Sequence, residues 1–256
     1  MDLPTNAFKA AIRAGRQQIG LWVALSNHVS AEIVAGSGFD WLLFDGEHGP
    51  NDPPAMLPQL QAAAAYPVSA IVRPAWNDKV LVKRYLDIGF QSFLVPYVQT
   101  VAEAEAAVAA IRYPLRGVRG VAGSTRSSRF ARIPDYAKRA EAELCLLVQI
   151  ETREGLENLD AICRVDGIDG VFIGPADLAA GLGHLGDMGH ADVQSAIKDA
   201  IARIKAAGKP AGILATDEPT ARRYIEWGTT FTAVGVDVMI LARETEKLAK
   251  LYKKQG

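Results

Sequence analysis

The sequence lacks the features that mark disulfide-linked, secreted and membrane-spanning proteins. Its 256 residues include two cysteines, Cys145 and Cys163, in a predicted strand and a predicted helix, where buried thiols are expected. No run of about 18 apolar residues occurs, which argues against a membrane-spanning helix. The first residues contain no apolar core of signal-peptide length. These absences predict a reducing, cytoplasmic setting.

An excess of charge of one sign is also missing. The chain has 28 Lys and Arg residues against 29 Asp and Glu residues, for a formal net charge of −1. This balance gives no sign of a nucleic acid or a membrane surface as a partner. With 49% hydrophobic residues, the chain is long enough to bury one large core.

What the chain does contain is a series of short apolar runs bounded by glycine or proline. They are mostly apolar on both faces, which is typical of buried parallel strands. The predicted strands are 19–25, 41–47, 69–74, 92–98, 145–151, 170–175, 210–215 and 231–238. Helical patterns lie between them, and the one in 192–208 stops at Gly208. Asp78 or Asn77 is expected to cap one helix, and Asp217 another.

Eight such units in one domain, residues 1–256, predict an α/β protein with a (β/α)8 TIM barrel. A doubly wound sheet is the alternative, but it usually has a glycine-rich turn after its first strand. Here that turn reads SNHVSAE. The longest irregular stretch, 112–139, is too long for a simple connection between a strand and a helix.

Polar residues gather where the predicted strands end. In a barrel these ends meet at one mouth, which carries the functional groups. The residues expected there are Asp45, Glu47, His48, Arg73, Gln149, Glu151, Gly174, Pro175, Ala176 and Asp177. Stability alone does not require so many polar groups.

Glu151 and Asp177 follow neighbouring strands, which lie about 4.8 Å apart. Two carboxylates this close repel each other unless a proton or a cation lies between them. A hard divalent cation such as Mg²⁺ takes one or two carboxylates together with water and substrate oxygens. We therefore expect a metal site. The structural alternatives are that Asp177 caps a helix and that Glu151 pairs with Arg153.

His48 and Arg73 are the candidate catalytic residues beside this pair. His48 follows Asp45 and Glu47, and a neighbouring carboxylate can make an imidazole a better base. Arg73 ends an apolar strand, where a guanidinium needs an anion. That anion is either a substrate oxygen or one of the two acids before His48. A solvated loop histidine is the alternative for His48.

The turn GPAD, 174–177, leads into a predicted helix, so its backbone N–H groups can hold a substrate carboxylate. A turn that only shapes the chain is the alternative. No predicted strand ends in lysine, which argues against a Schiff-base aldolase. A metal ion is the remaining way to stabilise an enolate.

Four motifs carry a resemblance that covers nearly the whole chain: FDGEHGP, IVRP, VQIETREGL and IGPADLA. In this order and at these separations they resemble the hydroxy-keto-acid aldolase family. The resemblance implies a (β/α)8 barrel of the phosphoenolpyruvate/pyruvate type. It also implies a hexamer built as a trimer of dimers that exchange their last helices. The implied reaction is class II, metal-dependent cleavage of 4-hydroxy-2-oxo acids to pyruvate and an aldehyde, and the reverse addition.

The same resemblance assigns roles to residues. Glu151 and Asp177 are implied to bind the metal, as Mg²⁺, Mn²⁺ or Co²⁺. His48 is implied to be the general base, supported by Asp45 and Asp87. The residues implied to contact the keto acid are Arg73, Gln149, Gly174, Pro175 and Ala176. The segment 117–130 resembles a loop that reaches a neighbouring subunit's mouth, where Arg119 and Arg126 would meet the aldehyde.

We therefore expect a carbon–carbon lyase that takes pyruvate or hydroxypyruvate together with aldehydes. His48, directly or through water, would remove the proton of the 4-hydroxyl group, and Arg73 would stabilise the enolate. One alternative is an acyl-CoA lyase of the citrate lyase β-subunit type that acts on malyl- or citramalyl-CoA. Another is a keto-acid-binding protein without catalysis.

Overall fold

The computed structural model describes residues 1–253. The last three residues of the predicted domain therefore lie outside the described part of the chain. Parallel strands follow the order of the sequence around a closed barrel. They are β1 (Gln18–Val23), β2 (Trp41–Asp45), β3 (Ser69–Arg73), β4 (Ser92–Val95), β5 (Cys145–Ile150), β6 (Gly170–Ile173), β7 (Ala211–Leu214) and β8 (Phe231–Val236). Each predicted strand is present, so the predicted (β/α)8 barrel is confirmed.

Helices alternate with these strands. They are α1 (Ala7–Arg13), α2 (His28–Ala35), α3 (Pro53–Ala63), α4 (Lys79–Ile88), α5 (Val101–Ile111), α6 (Tyr136–Arg139), α7 (Arg153–Glu157), α8 (Leu159–Cys163), α9 (Pro175–Gly181), α10 (Ala191–Ala206), α11 (Glu218–Trp227) and α12 (Asp237–Tyr252). Asp78 caps α4 by accepting the N–H groups of Val80 and Leu81, and Asp217 caps α11. Both predicted caps are confirmed.

Successive side chains of a strand point alternately into and out of the barrel, so every second residue lines the interior up to the mouth. In β5, Cys145 and Leu147 belong to the apolar cluster inside the barrel. Two residues further along, the same face carries Gln149, and two further still it carries Glu151. Apolar side chains thus fill the lower interior, and polar ones replace them where the strands end.

The opposite end of the barrel is closed. Phe8 and Ile12 of α1 enter the interior cluster from below, and the Phe8 ring packs edge-on against Phe231 at 5.7 Å. Apolar side chains therefore close this end of the barrel. Both predicted buried thiols are also confirmed, because Cys145 and Cys163 are free and buried.

Two features of the surface are the long loop 112–139 and the exposed last helix, α12. The predicted long loop, 112–139, contains a single 3-10 turn at Arg126–Ser128 and ends in α6. From Ile240 onward every described residue of α12 is exposed, including the apolar side chains of Leu241, Leu248 and Leu251. A monomer gains nothing from such a face, but exchange of this helix between subunits stays a prediction. In residues 1–253, no helix combines the length and apolarity needed to cross a membrane.

Candidate active site

A cavity of about 500 Å³ opens at the carboxyl ends of the strands. Its lining brings together most of the residues predicted from the sequence. Those that border it are His48, Arg73, Gln149, Glu151, Gly174, Pro175, Ala176 and Asp177. A concave site with convergent polar groups is the usual place for ligand binding and catalysis.

Glu151 is almost completely buried at the floor of this cavity, with 1% of its surface exposed. Its Oε1 accepts the backbone N–H of Tyr97 at 2.8 Å. Its Oε2 accepts the side-chain amide of Gln149. These contacts replace the alternative pairing with Arg153, so the carboxylate is held at the mouth by neutral donors.

Asp177 lies in the first turn of α9. The N-cap residue of this helix is Gly174, and no side chain forms a capping hydrogen bond. The alternative role of Asp177 as the helix cap is therefore not seen. Its Oδ1 accepts the hydroxyl of Tyr97 at 3.1 Å. One tyrosine therefore contacts both predicted metal ligands, which shows that the two acids face the same space.

The electrostatics of this pair disfavour two bare negative charges. Burial raises the pKa of Glu151 to about 7, and the charges of Glu47 and Asp177 act in the same direction. The hydrogen bonds from Gln149 and Tyr97 lower it but do not compensate. A carboxyl group in this environment takes either a proton or a cation.

Arg73 lies beneath the rim in a buried ion-pair network. Its Nε and one terminal nitrogen donate to the two oxygens of Asp45 at 2.9 and 2.7 Å. The other terminal nitrogen lies 2.7 Å from Oε2 of Glu47, as an ion pair without an aligned hydrogen bond. The guanidinium also lies 5.3 Å from the centre of the Trp22 ring. The expected structural partners of Arg73 are thus both present.

The two acids in this network differ in their titration. Burial alone would raise the pKa of Asp45, but the hydrogen bonds and charge of Arg73 outweigh it and lower this pKa. The pKa of Glu47 is raised, because burial and the charges of Asp45 and Asp177 exceed the effect of Arg73. Asp45 is therefore the firmly ionised partner.

His48 stands on the rim with an exposed side chain. Its backbone N–H lies 3.4 Å from Oδ1 of Asp45, which also accepts the N–H of Glu47. Asn51 donates to the carbonyl of Asp45 at 2.9 Å and closes this loop from the other side. Asp45 thus supports the loop that carries the imidazole, and it does so through the backbone.

Gly174 provides space for the site. Its N–H donates to the carbonyl of Ile150, and its own carbonyl accepts from Leu178. A Cβ at this position would lie 2.8 Å from Cβ of Glu151 and 3.0 Å from the Gln149 amide nitrogen. The N–H groups of Ala176 and Asp177 have no intrahelical acceptor, because they lie in the first turn of α9. A backbone role of this turn in substrate binding stays a prediction.

Asp87 is not brought to the mouth of its own chain. It lies in the last turn of α4, at the opposite end of the barrel. Burial raises its pKa, and the charges that oppose this are those of Arg119 and Lys83. Within one chain it does not support His48, so its catalytic role stays a prediction that requires a neighbouring subunit.

Arg119 and Arg126 also lie away from this mouth. Arg119 is 2% exposed, with its guanidinium 4.4 Å from the centre of the Tyr113 ring. Arg126 donates to the carbonyl of Ile88 at 2.8 Å and borders a cleft at the amino ends of β3 and β4. Contact of Arg126 with an aldehyde would again need a second subunit, and contact of Arg119 would also need its buried guanidinium to become exposed. Both roles stay predictions.

The donor set at the mouth fits a hard divalent cation. Glu151 and Asp177 present carboxylates to one cavity. The charge of Glu47 acts on Glu151 in the same direction as that of Asp177, so negative charge is in excess there. Within residues 1–253, the buried Oε1 of Gln149 has no hydrogen-bond partner. Oxygen donors with an excess of negative charge are characteristic of Mg²⁺ and Mn²⁺ sites.

A second group of possible ligands lies beside the mouth. Nε2 of His184 and Nδ1 of His190 lie 3.4 and 3.7 Å from Oδ2 of Asp192. The two rings stack 3.5 Å apart, so their in-plane lone pairs run nearly parallel and do not converge. Nδ1 of His190 also accepts the N–H of Asp192 as the N-cap of α10. We therefore interpret this group as a helix cap.

Tyr97 is the residue that the sequence did not indicate. It follows β4, and its pattern, VPYVQ, looks like the end of an apolar strand. The one usable signal is the position of a tyrosine directly after a strand, where barrel residues reach the mouth. That signal is weak, because buried strand ends often carry aromatic residues.

Comparison with known proteins agrees with this geometry. A family described as HpcH/HpaI aldolase/citrate lyase matches residues 18–243. The chain is 63% identical over 252 residues to a protein of Rhizobium etli named pyruvate aldolase, covering 98% of this chain and 99% of that protein. It is 57% identical over 248 residues to a 4-hydroxy-2-oxo-heptane-1,7-dioate aldolase of Salmonella paratyphi C, covering 96% and 94%.

A solved structure is also similar over its whole length. It is an HpcH/HpaI aldolase/citrate lyase family protein from Burkholderia cenocepacia, with 38% identity and a TM-score of 0.94. The match covers 98% of this chain and 100% of the other. Both the sequence and the fold are therefore shared along the full barrel.

Proposed function

This chain belongs to the HpcH/HpaI aldolase/citrate lyase family, and we propose that it cleaves 4-hydroxy-2-oxo acids to pyruvate and an aldehyde. The expected carbon–carbon lyase class is confirmed by this membership and by the aldolases to which the chain is similar. The reverse reaction would add pyruvate or hydroxypyruvate to aldehydes. We propose that a divalent cation, Mg²⁺, Mn²⁺ or Co²⁺, is the cofactor.

The observation that carries this proposal is the arrangement of Glu151 and Asp177. Both acids border one cavity, and a single tyrosine contacts both. The raised pKa of Glu151 supports a site that is completed by positive charge. When bound there, the cation would supply positive charge to the keto acid and to the enolate that develops from it.

Arg73 is proposed to steady the keto oxygen. A guanidinium carries five N–H groups, so the contacts to Asp45 and Glu47 leave others for a substrate oxygen. Asp45 and Glu47 hold the guanidinium at the border of the cavity. The donor is thus in place before the reaction begins, which is how preorganised electrostatic stabilisation works.

His48 is proposed to take the proton of the 4-hydroxyl group, directly or through one water molecule, as the C3–C4 bond breaks to an aldehyde and the pyruvate enolate. A proton then returns to C3 of the enolate and gives pyruvate. The imidazole borders the cavity and is exposed, so it can exchange protons with solvent. The backbone N–H groups at Ala176 and Asp177 are proposed to bind the carboxylate of the keto acid at the start of α9.

A panel of aldehydes tests the proposal. Purified protein is incubated with pyruvate or hydroxypyruvate and each aldehyde, and the products are identified by mass spectrometry. We expect aldol products that disappear after chelation and return with Mg²⁺, Mn²⁺ or Co²⁺. Malyl- and citramalyl-CoA serve as comparison substrates for the lyase alternative. Full-rate cleavage of 4-hydroxy-2-oxo acids by metal-stripped protein would contradict the proposal.

Replacement of His48 by asparagine should lower kcat for retro-aldol cleavage by roughly 10²–10⁴-fold, which is the usual contribution of a positioned base. Because the side chain is exposed, we expect little change in Tm or in the Mn²⁺ affinity. Steady-state kinetics measure the effect. His28→Asn, at another exposed histidine, is the matched control and should retain wild-type kcat. A wild-type kcat in the His48 variant would remove it from the mechanism.

We also propose a homohexamer built as a trimer of dimers. The exposed apolar face of α12 supports a partner subunit at this helix. Asp87, Arg119 and Arg126 all lie away from the mouth of their own chain, which is consistent with a site completed by a neighbour. Sedimentation equilibrium gives the subunit number. The cytoplasmic setting is proposed on the free, buried thiols alone.

A further inference from the structure

Tyr97 occupies an unusual place in the backbone. It is the second residue after β4, and its φ is +53°. Positive φ is uncommon in residues other than glycine and is disfavoured for bulky side chains. Such a conformation persists only where its surroundings hold it. The contacts of Tyr97 show what does so here.

The backbone of Tyr97 turns its N–H toward Glu151. That N–H donates to Oε1 of Glu151 at 2.8 Å. Glu151 follows β5, the strand next to β4 in the barrel. The left-handed conformation therefore aims a main-chain donor at a buried carboxylate on the neighbouring strand.

The side chain of Tyr97 reaches one strand further. Its hydroxyl donates to Oδ1 of Asp177, which follows β6. The ring stacks on Trp76 with centres 5.3 Å apart and planes 29° apart. Trp76 comes from the connection after β3, so the phenol is backed by an aromatic ring on the side away from β6.

We propose that Tyr97 is a positioning residue that clamps the two metal-binding carboxylates to each other. The inference rests on the proposed function, because it takes Glu151 and Asp177 as the ligands. Each acid gives one oxygen to Tyr97, so neither carboxylate can rotate freely. Oδ2 of Asp177 is left for the cation, and Oε2 of Glu151 is shared with Gln149.

The physical reason for such a clamp is the repulsion between the acids. In the metal-free protein, Glu151 and Asp177 would separate if their side chains were free to turn. Hydrogen bonds from one rigid donor residue keep them at a fixed separation. Partners of this kind orient metal ligands, and losing one usually weakens metal affinity by about 10–100-fold.

Tyr97→Phe tests the clamp, because it removes the hydroxyl but keeps the ring, its stack on Trp76 and the backbone N–H. Mn²⁺ affinity is measured by isothermal titration on chelated and repurified protein. We expect the Kd for Mn²⁺ to rise about 10–100-fold. We also expect the Tm of the metal-free protein to stay near the wild-type value, while the rise in Tm caused by Mn²⁺ becomes smaller.

Tyr136→Phe is the matched control. The Tyr136 hydroxyl accepts from Arg119 at 3.3 Å outside the mouth, so its loss should leave Mn²⁺ affinity unchanged. A second variant, Trp76→Leu, removes the ring behind Tyr97 and should raise the Kd by a smaller factor than Tyr97→Phe.

The outcomes separate the two proposals. If the wild-type protein does not bind Mn²⁺ at the mouth, the proposed function fails. If wild type binds and Tyr97→Phe binds with the same Kd and the same rise in Tm, the clamp is overturned. A rise in Kd for Tyr97→Phe alone, with the control unchanged, supports it.

Discussion

Replacement of Glu151 by glutamine is expected to lower kcat/KM by at least about 10³-fold. The substitution keeps the shape of the side chain but removes the charge that holds the cation. A metal ion contributes several kcal/mol to charge stabilisation in the transition state, and about 4 kcal/mol corresponds to a factor of 10³. Calorimetry should show loss of Mn²⁺ binding, and steady-state kinetics should show the loss of turnover.

The same substitution should stabilise the metal-free protein. The pKa of Glu151 rises from 4.5 to about 7 on folding, so its ionised form opposes folding. This destabilisation is absent below about pH 4.5, grows as pH rises, and is complete above about pH 7. A shift of this size corresponds to about 3 kcal/mol at most. Thermal melts of chelated protein near pH 8 should therefore give Glu151→Gln the higher Tm.

Glu154→Gln is the control, because this exposed acid lies three residues further along the same segment. It should change neither turnover nor Mn²⁺ affinity. Wild-type cleavage by Glu151→Gln would remove Glu151 from the metal site. Loss of activity together with a lower Tm in chelated protein would instead indicate a purely structural role.

The barrel and the two central acids could be predicted from the sequence because they depend on local patterns. Short apolar runs bounded by glycine or proline give the strands, and strand ends give the mouth. Glu151 continues the inward face of β5, and Asp177 follows the turn after β6. Both positions are fixed by their distance in sequence from a strand, so their proximity needs no knowledge of the loops.

The remaining contacts depend on paths that the sequence does not encode locally. Tyr97 contacts Asp177 because its φ is positive and its ring is stacked, and neither property is visible in VPYVQ. Arg119 and Arg126 sit in a loop whose route across the surface is set by tertiary packing. Asp87 faces the wrong end of its own barrel because helices run antiparallel to the strands.

The second large effect is expected at Arg73. Replacement by methionine should lower stability by about 3–5 kcal/mol, because it leaves the buried carboxylates of Asp45 and Glu47 without their cation. We also expect kcat to fall by about 10²–10³-fold, the usual result of removing a preorganised donor. Chemical denaturation and steady-state kinetics measure the two losses separately.

The loss of stability should depend on pH. In the wild type, Arg73 lowers the pKa of Asp45, so the pair stabilises the fold above about pH 4 and loses this effect as pH falls further. In Arg73→Met, burial raises the pKa of Asp45 and Glu47, and the charges of neighbouring acids add to this at Glu47. The backbone N–H groups of Glu47 and His48 oppose this rise in pKa only at Asp45. Without the guanidinium, both pKa values should therefore be higher than in the wild type. Both acids then become neutral at mildly acidic pH. The difference in stability between the two proteins should therefore be largest near neutral pH and shrink toward about pH 4.

Asp45→Asn combined with Arg73→Met separates charge from catalysis. The double variant removes one of the two stranded carboxylates, so it should regain part of the stability lost in Arg73→Met. It should regain none of the activity, since the donor to the keto oxygen is still absent. If the double variant recovered turnover along with stability, Arg73 would serve only to hold Asp45 and Glu47, and the enolate would need another source of positive charge.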